Sequence, residues 1–154
     1  IRKLSRNSLG VTGMDLTEEE YIIGGAVVNE DNGYMICVSE NGLIKITEIN
    51  QYRIQKRGGK GLRAMKSNER SGNLFAALFT NDLNVDLLTT TKNGLNNRIS
   101  LSNINVTSRN TTGVSLVKLE KDDVLVSIFI VEHEDLESIE EIFEEEVNNE
   151  IVDE

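Results

Sequence analysis

Apolar and polar residues alternate along this chain in short bursts separated by turn-forming residues. Tyr34-Met35-Ile36-Cys37-Val38 runs through Ser39-Glu40-Asn41-Gly42 into Leu43-Ile44-Lys45-Ile46. Two β-prone runs joined by Asn-Gly predict a hairpin, because both residues tolerate the left-handed backbone of a tight connection. Leu87-Leu88, Asn93-Gly94 and Arg98-Ile99 repeat the design with more polar residues. Ser115-Leu116-Val117-Lys118-Leu119, a turn over 120–123 and Val124-Leu125-Val126 predict another strand–turn–strand unit. No amphipathic helix separates these runs, which argues against a parallel α/β sheet. From residue 134 the period changes. Leu136, Ile139, Phe143, Val147 and Ile151 recur at three- and four-residue steps among glutamates. The segment reads as a disordered acidic tail or as an amphipathic helix docked on a neighbour or on the rest of the chain.

The pattern also repeats at long range. Arg6-Asn-Ser-Leu-Gly10-Val11, Arg57-Gly-Gly-Lys-Gly61-Leu62 and Arg109-Asn-Thr-Thr-Gly113-Val114 share Arg-x-x-x-Gly-apolar, their arginines 51 and 52 residues apart. Asn41-Gly42-Leu43 and Asn93-Gly94-Leu95 are spaced by 52. Apolar runs at 22–28, 74–79 and 124–131 keep the same register. Three landmarks in register define an array of about three repeats of roughly 52 residues. Strand-rich units at that period predict an all-β, propeller-like fold. The expected division is a β body, residues 1–131, and an acidic tail, residues 132–154.

Charge sharpens that division. The formal net charge is −10, but twelve of the 26 acids fall in 132–154, which holds no Lys or Arg. The remaining 14 acids face all 16 bases, so the body carries +2. A polyanion can approach the body and is repelled by the tail. No apolar run approaches membrane-spanning length, and the N-terminus lacks a signal-peptide core. Cys37, the one cysteine, is expected to be a small core residue in a reducing compartment. The Asn-x-Thr sequons at Asn105 and Asn110 are read as accidental.

The chemistry concentrates in one stretch. Between Arg53 and Arg70 lie seven cations (Arg53, Lys56, Arg57, Lys60, Arg63, Lys66 and Arg70) against a single acid, Glu69. Within it, Gln55-Lys56-Arg57-Gly58-Gly59-Lys60-Gly61 mixes cations with glycines that let the backbone turn sharply and approach a partner closely. Phosphate suits such a loop, since it accepts bidentate Arg contacts, Lys point charges and backbone N–H groups. The plainer reading is a solvated edge kept basic against aggregation. On composition the two stand even, and the matched Arg6 and Arg109 tilt the balance toward binding. A nucleotide-binding loop is rejected, because Gly59-Lys60-Gly61-Leu62 lacks the Ser or Thr that should follow the lysine. Tyr21, Tyr34, Tyr52, Phe75, Phe79 and Phe129 fall mostly in apolar runs, which favours core packing over base stacking. No catalytic residue and no metal site is proposed: His133 stands alone and is read as exposed, and Asp122-Asp123 as a turn.

Residues 55–61 resemble the "gyrase box", QRRGGKG, found in the C-terminal domain of the DNA gyrase A subunit, with Lys56 in place of an arginine. Residues 2–16 (RKLSRNSLGVTGMDL) are similar to the family's blade start, 42–62 to its passage into the box, and 105–119 to its Arg-Asn-Thr-x-Gly-Val finish. Where the family reads Gly-Tyr-Gly-Lys-Arg-Thr, this chain has Gly42-Leu43-Ile44-Lys45-Ile46-Thr47, one arginine fewer. The resemblance implies a β-pinwheel whose basic outer rim binds and wraps double-stranded DNA, and so supports ATP-dependent negative supercoiling by a type II topoisomerase. Transferred residue by residue, the box is Gln55, Lys56, Arg57, Gly58, Gly59, Lys60 and Gly61, with Arg6 and Arg109 its blade-start counterparts. Arg53, Arg63, Lys66, Arg98 and Lys45 complete the candidate DNA contacts. The implied partners are the remainder of the gyrase A subunit and the gyrase B subunit in the bacterial, nucleoid-containing cytoplasm, with no membrane. ATP and Mg would be used elsewhere in that enzyme, with no cofactor in this piece. The alternatives are the C-terminal domain of the corresponding topoisomerase IV protein and a propeller-type protein-interaction module.

Overall fold

Alternation decides the first element. In β1 (Tyr34–Ser39) and β2 (Leu43–Glu48), Ile36, Val38, Ile44 and Ile46 line one face, and most positions on both faces are buried. Gly42 closes the connection at φ 72°, its N–H donating to the Ser39 carbonyl at 3.0 Å. The strands pair antiparallel from Tyr34↔Glu48 to Val38↔Ile44. β4 (Val85–Thr91) and β5 (Asn96–Ser100) form the second hairpin where Asn93-Gly94 placed it. The computed structural model describes residues 3–28 and 32–133. The helical or disordered reading of the tail falls almost wholly outside the described residues.

The remaining strands reach each hairpin from further along the chain. β3 (Leu74–Thr80) lies antiparallel along β1, and β7 (Leu125–Glu132) lies along β4 in the same manner. β6 (Val114–Ser115) adds to the outer edge of β2. The outcome is a four-stranded sheet, β3-β1-β2-β6, and a three-stranded sheet, β5-β4-β7. Each hairpin is thus completed by strands of later repeats, so no repeat is a closed unit.

Two sequence expectations change here. The predicted strand–turn–strand unit over 115–126 does not form: β6 pairs with β2, whereas β7 pairs with β4. The reason is local. Gly113, at φ 93°, comes so close that a Cβ would lie 2.4 Å from the Ile44 carbonyl oxygen, an approach open only to glycine. The chain then turns inward, and the Leu116 and Val117 amides donate to the Gly42 carbonyl at 2.9 and 3.3 Å. Residues 120–123 carry the chain from one sheet to the other. Asp123 stabilises that crossing by accepting from the Asn93 and Val124 amides at 3.1 and 3.0 Å. The second change concerns the apolar run 22–28, which holds the repeat position of β3 yet is not a strand. Tyr21, Ile22 and Val27 are 75%, 67% and 78% exposed. A strand needs a ladder partner, and both inner hairpin edges among the described residues are taken by β3 and β7.

The main core gathers Ile36, Val38, Ile44 and Ile46 from the first sheet with Leu87, Leu101, Leu116, Val117 and Leu125. Each such side chain contributes about 1.5–3 kcal/mol by leaving water. The opposite face of the first sheet is also covered, since Cys37 and Leu43 pack with Met65. Cys37 is the buried core residue expected of it. Irregular chain around residues 63–72, which carries the last three of the seven cations, forms this second roof.

Candidate nucleic-acid interface

The box is a surface turn braced from the first repeat. Arg57 and Gly58 form its apex, with Gly58 at φ 70°. The Gly58 amide donates to the Gly13 carbonyl at 2.9 Å, and the Asp15 amide donates to the Gly59 carbonyl at 3.1 Å. Met14 and Gly59 form a parallel bridge, and a Cβ on Gly61 would lie 2.9 Å from the Met14 Cε. The blade-start likeness at 2–16 did not signal this brace, because a motif shared by successive repeats does not say which repeat it packs against. Arg53, Gln55, Lys56, Arg57, Lys60, Arg63, Lys66 and Arg70 are all exposed, as is Arg6 on the first loop. Among the described residues none of the seven cations between Arg53 and Arg70 is in an ion pair. Lys60 helps hold the Glu20 carboxyl below its usual range, after the hydrogen bond from the Thr17 amide at 2.8 Å.

Arg109 meets this stretch from the next repeat. Its Nη1 donates to the Arg63 carbonyl at 2.8 Å, its amide donates to Gln51 Oε1 at 3.0 Å, and its guanidinium lies over the Tyr52 ring, 6.0 Å from the centroid. The Lys66 amide in turn donates to the Thr111 carbonyl at 3.1 Å. Two of the three Arg-x-x-x-Gly loops are therefore physically joined. Tyr52 acts as a floor for the cation; burial, and then Cys37, push its hydroxyl up to about 12.

One candidate contact is corrected. Lys45 is 1% exposed and cannot reach a phosphate. β2 points it into the second roof, where Nζ donates to the carbonyls of Ala64, Ser108 and Arg109; burial pushes its pKa down. Arg98 is exposed on β5 and is also tied to the fold, with Nε on Asp86 Oδ2 at 2.6 Å and Nη2 on the Glu132 carbonyl at 2.9 Å. His133 is exposed, as read, and its Nδ1 lies 2.6 Å from Asp86 Oδ1. That hydrogen bond holds the Asp86 carboxyl below its usual range; burial opposes the shift and Arg98 reinforces it. These partners are far apart in sequence, and only the β4–β5 and β4–β7 pairing brings them together.

Strand exchange between repeats and an exposed, glycine-containing cationic loop define a propeller-type β-repeat protein. The family model described as the DNA gyrase C-terminal domain, beta-propeller, matches residues 1–29, 33–81 and 86–132. Curated relatives include the DNA gyrase A subunit of Helicobacter pylori, 38% identical over 117 residues, covering 76% of this chain and 14% of that protein. The DNA gyrase A subunit of Ureaplasma parvum is 38% identical over 129 residues, covering 84% of this chain and 15% of that protein. Among solved structures, the C-terminal domain of DNA topoisomerase IV is similar with a TM-score of 0.72 at 19% identity, covering 82% of this chain and 39% of that one. The DNA gyrase A C-terminal domain is similar with a TM-score of 0.60 at 24% identity, covering 66% and 34%. At those identities the two structures speak for the fold. The chain belongs to the DNA gyrase C-terminal domain family and has its β-pinwheel fold. It spans only 14% to 18% of the length of the first curated relatives it matches.

Proposed function

We propose that this chain is a duplex-binding, DNA-wrapping part of the DNA gyrase A subunit, supporting ATP-dependent negative supercoiling by a type II topoisomerase. The observation that carries the reading is the exposed cationic stretch itself, seven side chains with no ion-pair partner among the described residues. Such mutual repulsion is relieved when a polyanion supplies the counter-charge. The turn at Gly58 brings the backbone to the surface between Lys56, Arg57 and Lys60, where phosphate oxygens can lie against both side chains and main chain. Arg109, supported on Tyr52, offers a second contact point, and Arg6 a third on the repeat logic. Contacts of this kind read no base code, so sequence preference is weak.

Wrapping requires more than binding. Bending a duplex of 20–30 bp through a large angle costs roughly 1–6 kcal/mol, which a curved series of phosphate contacts offsets. DNA cleavage, ATP hydrolysis and Mg chemistry are assigned to the rest of the gyrase A subunit and to the gyrase B subunit, in the bacterial cytoplasm with the nucleoid as substrate.

The test is end-to-end fluorescence energy transfer on a short labelled duplex, with the wild-type chain and a Lys56→Ala, Arg57→Ala, Lys60→Ala triple variant. Each phosphate contact adds about 0.9 to the slope of log affinity against log salt. The triple variant is expected to lose the bend and to lower that slope by roughly 3. Binding without bending, equal for DNA and a generic polyanion, would move the reading to the protein-interaction module.

A further inference from the structure

Lys45 is a buried ammonium whose neighbours are backbone carbonyls. It lies at the centre of β2 on the face shared with Leu43 and Thr47, across from Cys37 in the ladder. Its three acceptors come from two different repeats. Ala64 belongs to the arm that leaves the box, whereas Ser108 and Arg109 belong to the following Arg-x-x-x-Gly loop. An ammonium has three donors in a compact head, and here one head meets both loops.

The next repeat supplies an independent check. Asn97 stands 52 residues after Lys45, and Leu116 stands 52 after Ala64. The Asn97 Nδ2 donates to the Leu116 carbonyl at 3.3 Å, a contact across the same 19-residue separation as Lys45 to Ala64. The position is therefore a repeated tie between a hairpin's second strand and the chain beyond it. Asparagine is too short to do more than that. Lysine extends the tie across the boundary between repeats.

The Arg109 loop is already fixed to β2 on one side, through the Thr107 amide to the Ile46 carbonyl at 2.8 Å, and on the other through Val114 to Ile44. Among the described residues the box arm has no comparable ladder. It is held to that loop by Arg109 Nη1 on the Arg63 carbonyl, by the Lys66 amide on the Thr111 carbonyl, and by Lys45 between them. We infer that Lys45 is a positioning residue that fixes the spacing between two successive DNA-contacting loops, and so sets the curvature imposed on the duplex without touching it. This inference rests on the DNA-wrapping reading above.

The experiment compares the full chain with Lys45→Met, which keeps length and removes the donors, Lys45→Gln, which shortens the side chain and keeps a neutral donor, and Lys45→Arg, which keeps charge and donors. Backbone hydrogen exchange at residues 63–66 and 109–111, the thermal midpoint and the bend at saturating protein are read together. In Lys45→Met, exchange over 63–66 is expected to rise on the order of tenfold, as one tie of about that worth is lost. The bend at saturation decreases, and Lys45→Arg restores much of it. Should Lys45→Met not fold, Lys45→Gln carries the same comparison. Loosened loops with a wild-type bend would overturn the positioning role, as would unchanged exchange. A wild-type chain that fails to bind DNA would remove the DNA reading and this role with it. The exchange data would still report separately whether Lys45 ties the two loops.

Discussion

The three Arg-x-x-x-Gly loops provide a graded test of how the repeats are joined. Gly10, Gly61 and Gly113 occupy the same motif position and share a left-handed backbone, at φ 81°, 79° and 93°. Alanine at any of them carries about 1–2 kcal/mol of backbone strain. Their surroundings differ. A Cβ on Gly10 would meet nothing within 4 Å, and one on Gly61 would meet the Met14 Cε at 2.9 Å, the free end of a flexible side chain. On Gly113 it would lie 2.4 Å from the Ile44 oxygen and 2.9 Å from the Ile44 carbon. That is strand backbone, which cannot yield without separating β6 from β2. Separation also loosens Leu116 and Val117, 6% and 7% exposed, each worth about 1.5–3 kcal/mol when fully buried. Gly113→Ala is therefore expected to cost about 3–5 kcal/mol, Gly61→Ala about 1–2, and Gly10→Ala about 1. Urea unfolding followed by far-ultraviolet circular dichroism measures the series. With a slope of about 1–3 kcal/mol per molar urea, Gly113→Ala lowers the midpoint by roughly 2 M and the other two by under about 1 M. Equal losses at Gly10 and Gly113 would refute the claim that close approach at Ile44, rather than φ alone, makes the third glycine indispensable.

Other outcomes follow from the same geometry. Asp86 has its folded pKa depressed below 3.8, so its contribution is present above that value and is lost as pH falls through the folded one. The stability advantage of wild type over Asp86→Asn, measured by thermal unfolding, should stand at pH 7 and shrink below about pH 4. Leu101→Ala removes a side chain with no exposed surface and should cost about 2–5 kcal/mol in urea titrations. Deleting residues 134–154, which leaves β7 and His133 in place, takes away eleven acids and no Lys or Arg, and is expected to tighten duplex binding at low salt. Unchanged affinity at matched salt would exclude competition between tail and DNA for the basic surface.

How far the sequence carried is visible element by element. Both Asn-Gly hairpins were legible because alternation and turn chemistry act over a dozen residues. The partners of β3, β6 and β7 were not, since a run such as 125–132 has the same composition whichever edge it joins. The repeat period held the clue: runs at 74–79 and 124–131 stand at equal distances after a hairpin, as strands completing each hairpin would. For the site, the exposed cations were legible as charge density. Lys45 was misread because a lysine in a strand looks the same whether its head reaches solvent or a carbonyl. The second roof over Cys37 and Leu43 decided that case. The tie of Arg98 to a carboxylate on the neighbouring strand was equally invisible in the sequence.

Strand exchange also bears on what a wrapping surface requires. A chain of independent blades on flexible linkers could bind phosphates, but each blade would follow the path of straight DNA and impose none of its own. Here the hairpin at 34–48 is completed by β3 and β6, so separating neighbouring repeats means breaking ladders and uncovering Leu116, Val117 and Leu125 from a shared core. The several kcal/mol held in those contacts matches the cost of bending a short duplex. DNA wrapping, as proposed, requires the array to hold its shape when duplex and array strain against each other. The polar ties at Lys45 and Arg109 extend that stiffness from the sheets to the loops that carry the charge. On this argument, loosening the loops reduces the bend before it abolishes binding, because the phosphate contacts survive on arms that no longer hold a fixed spacing.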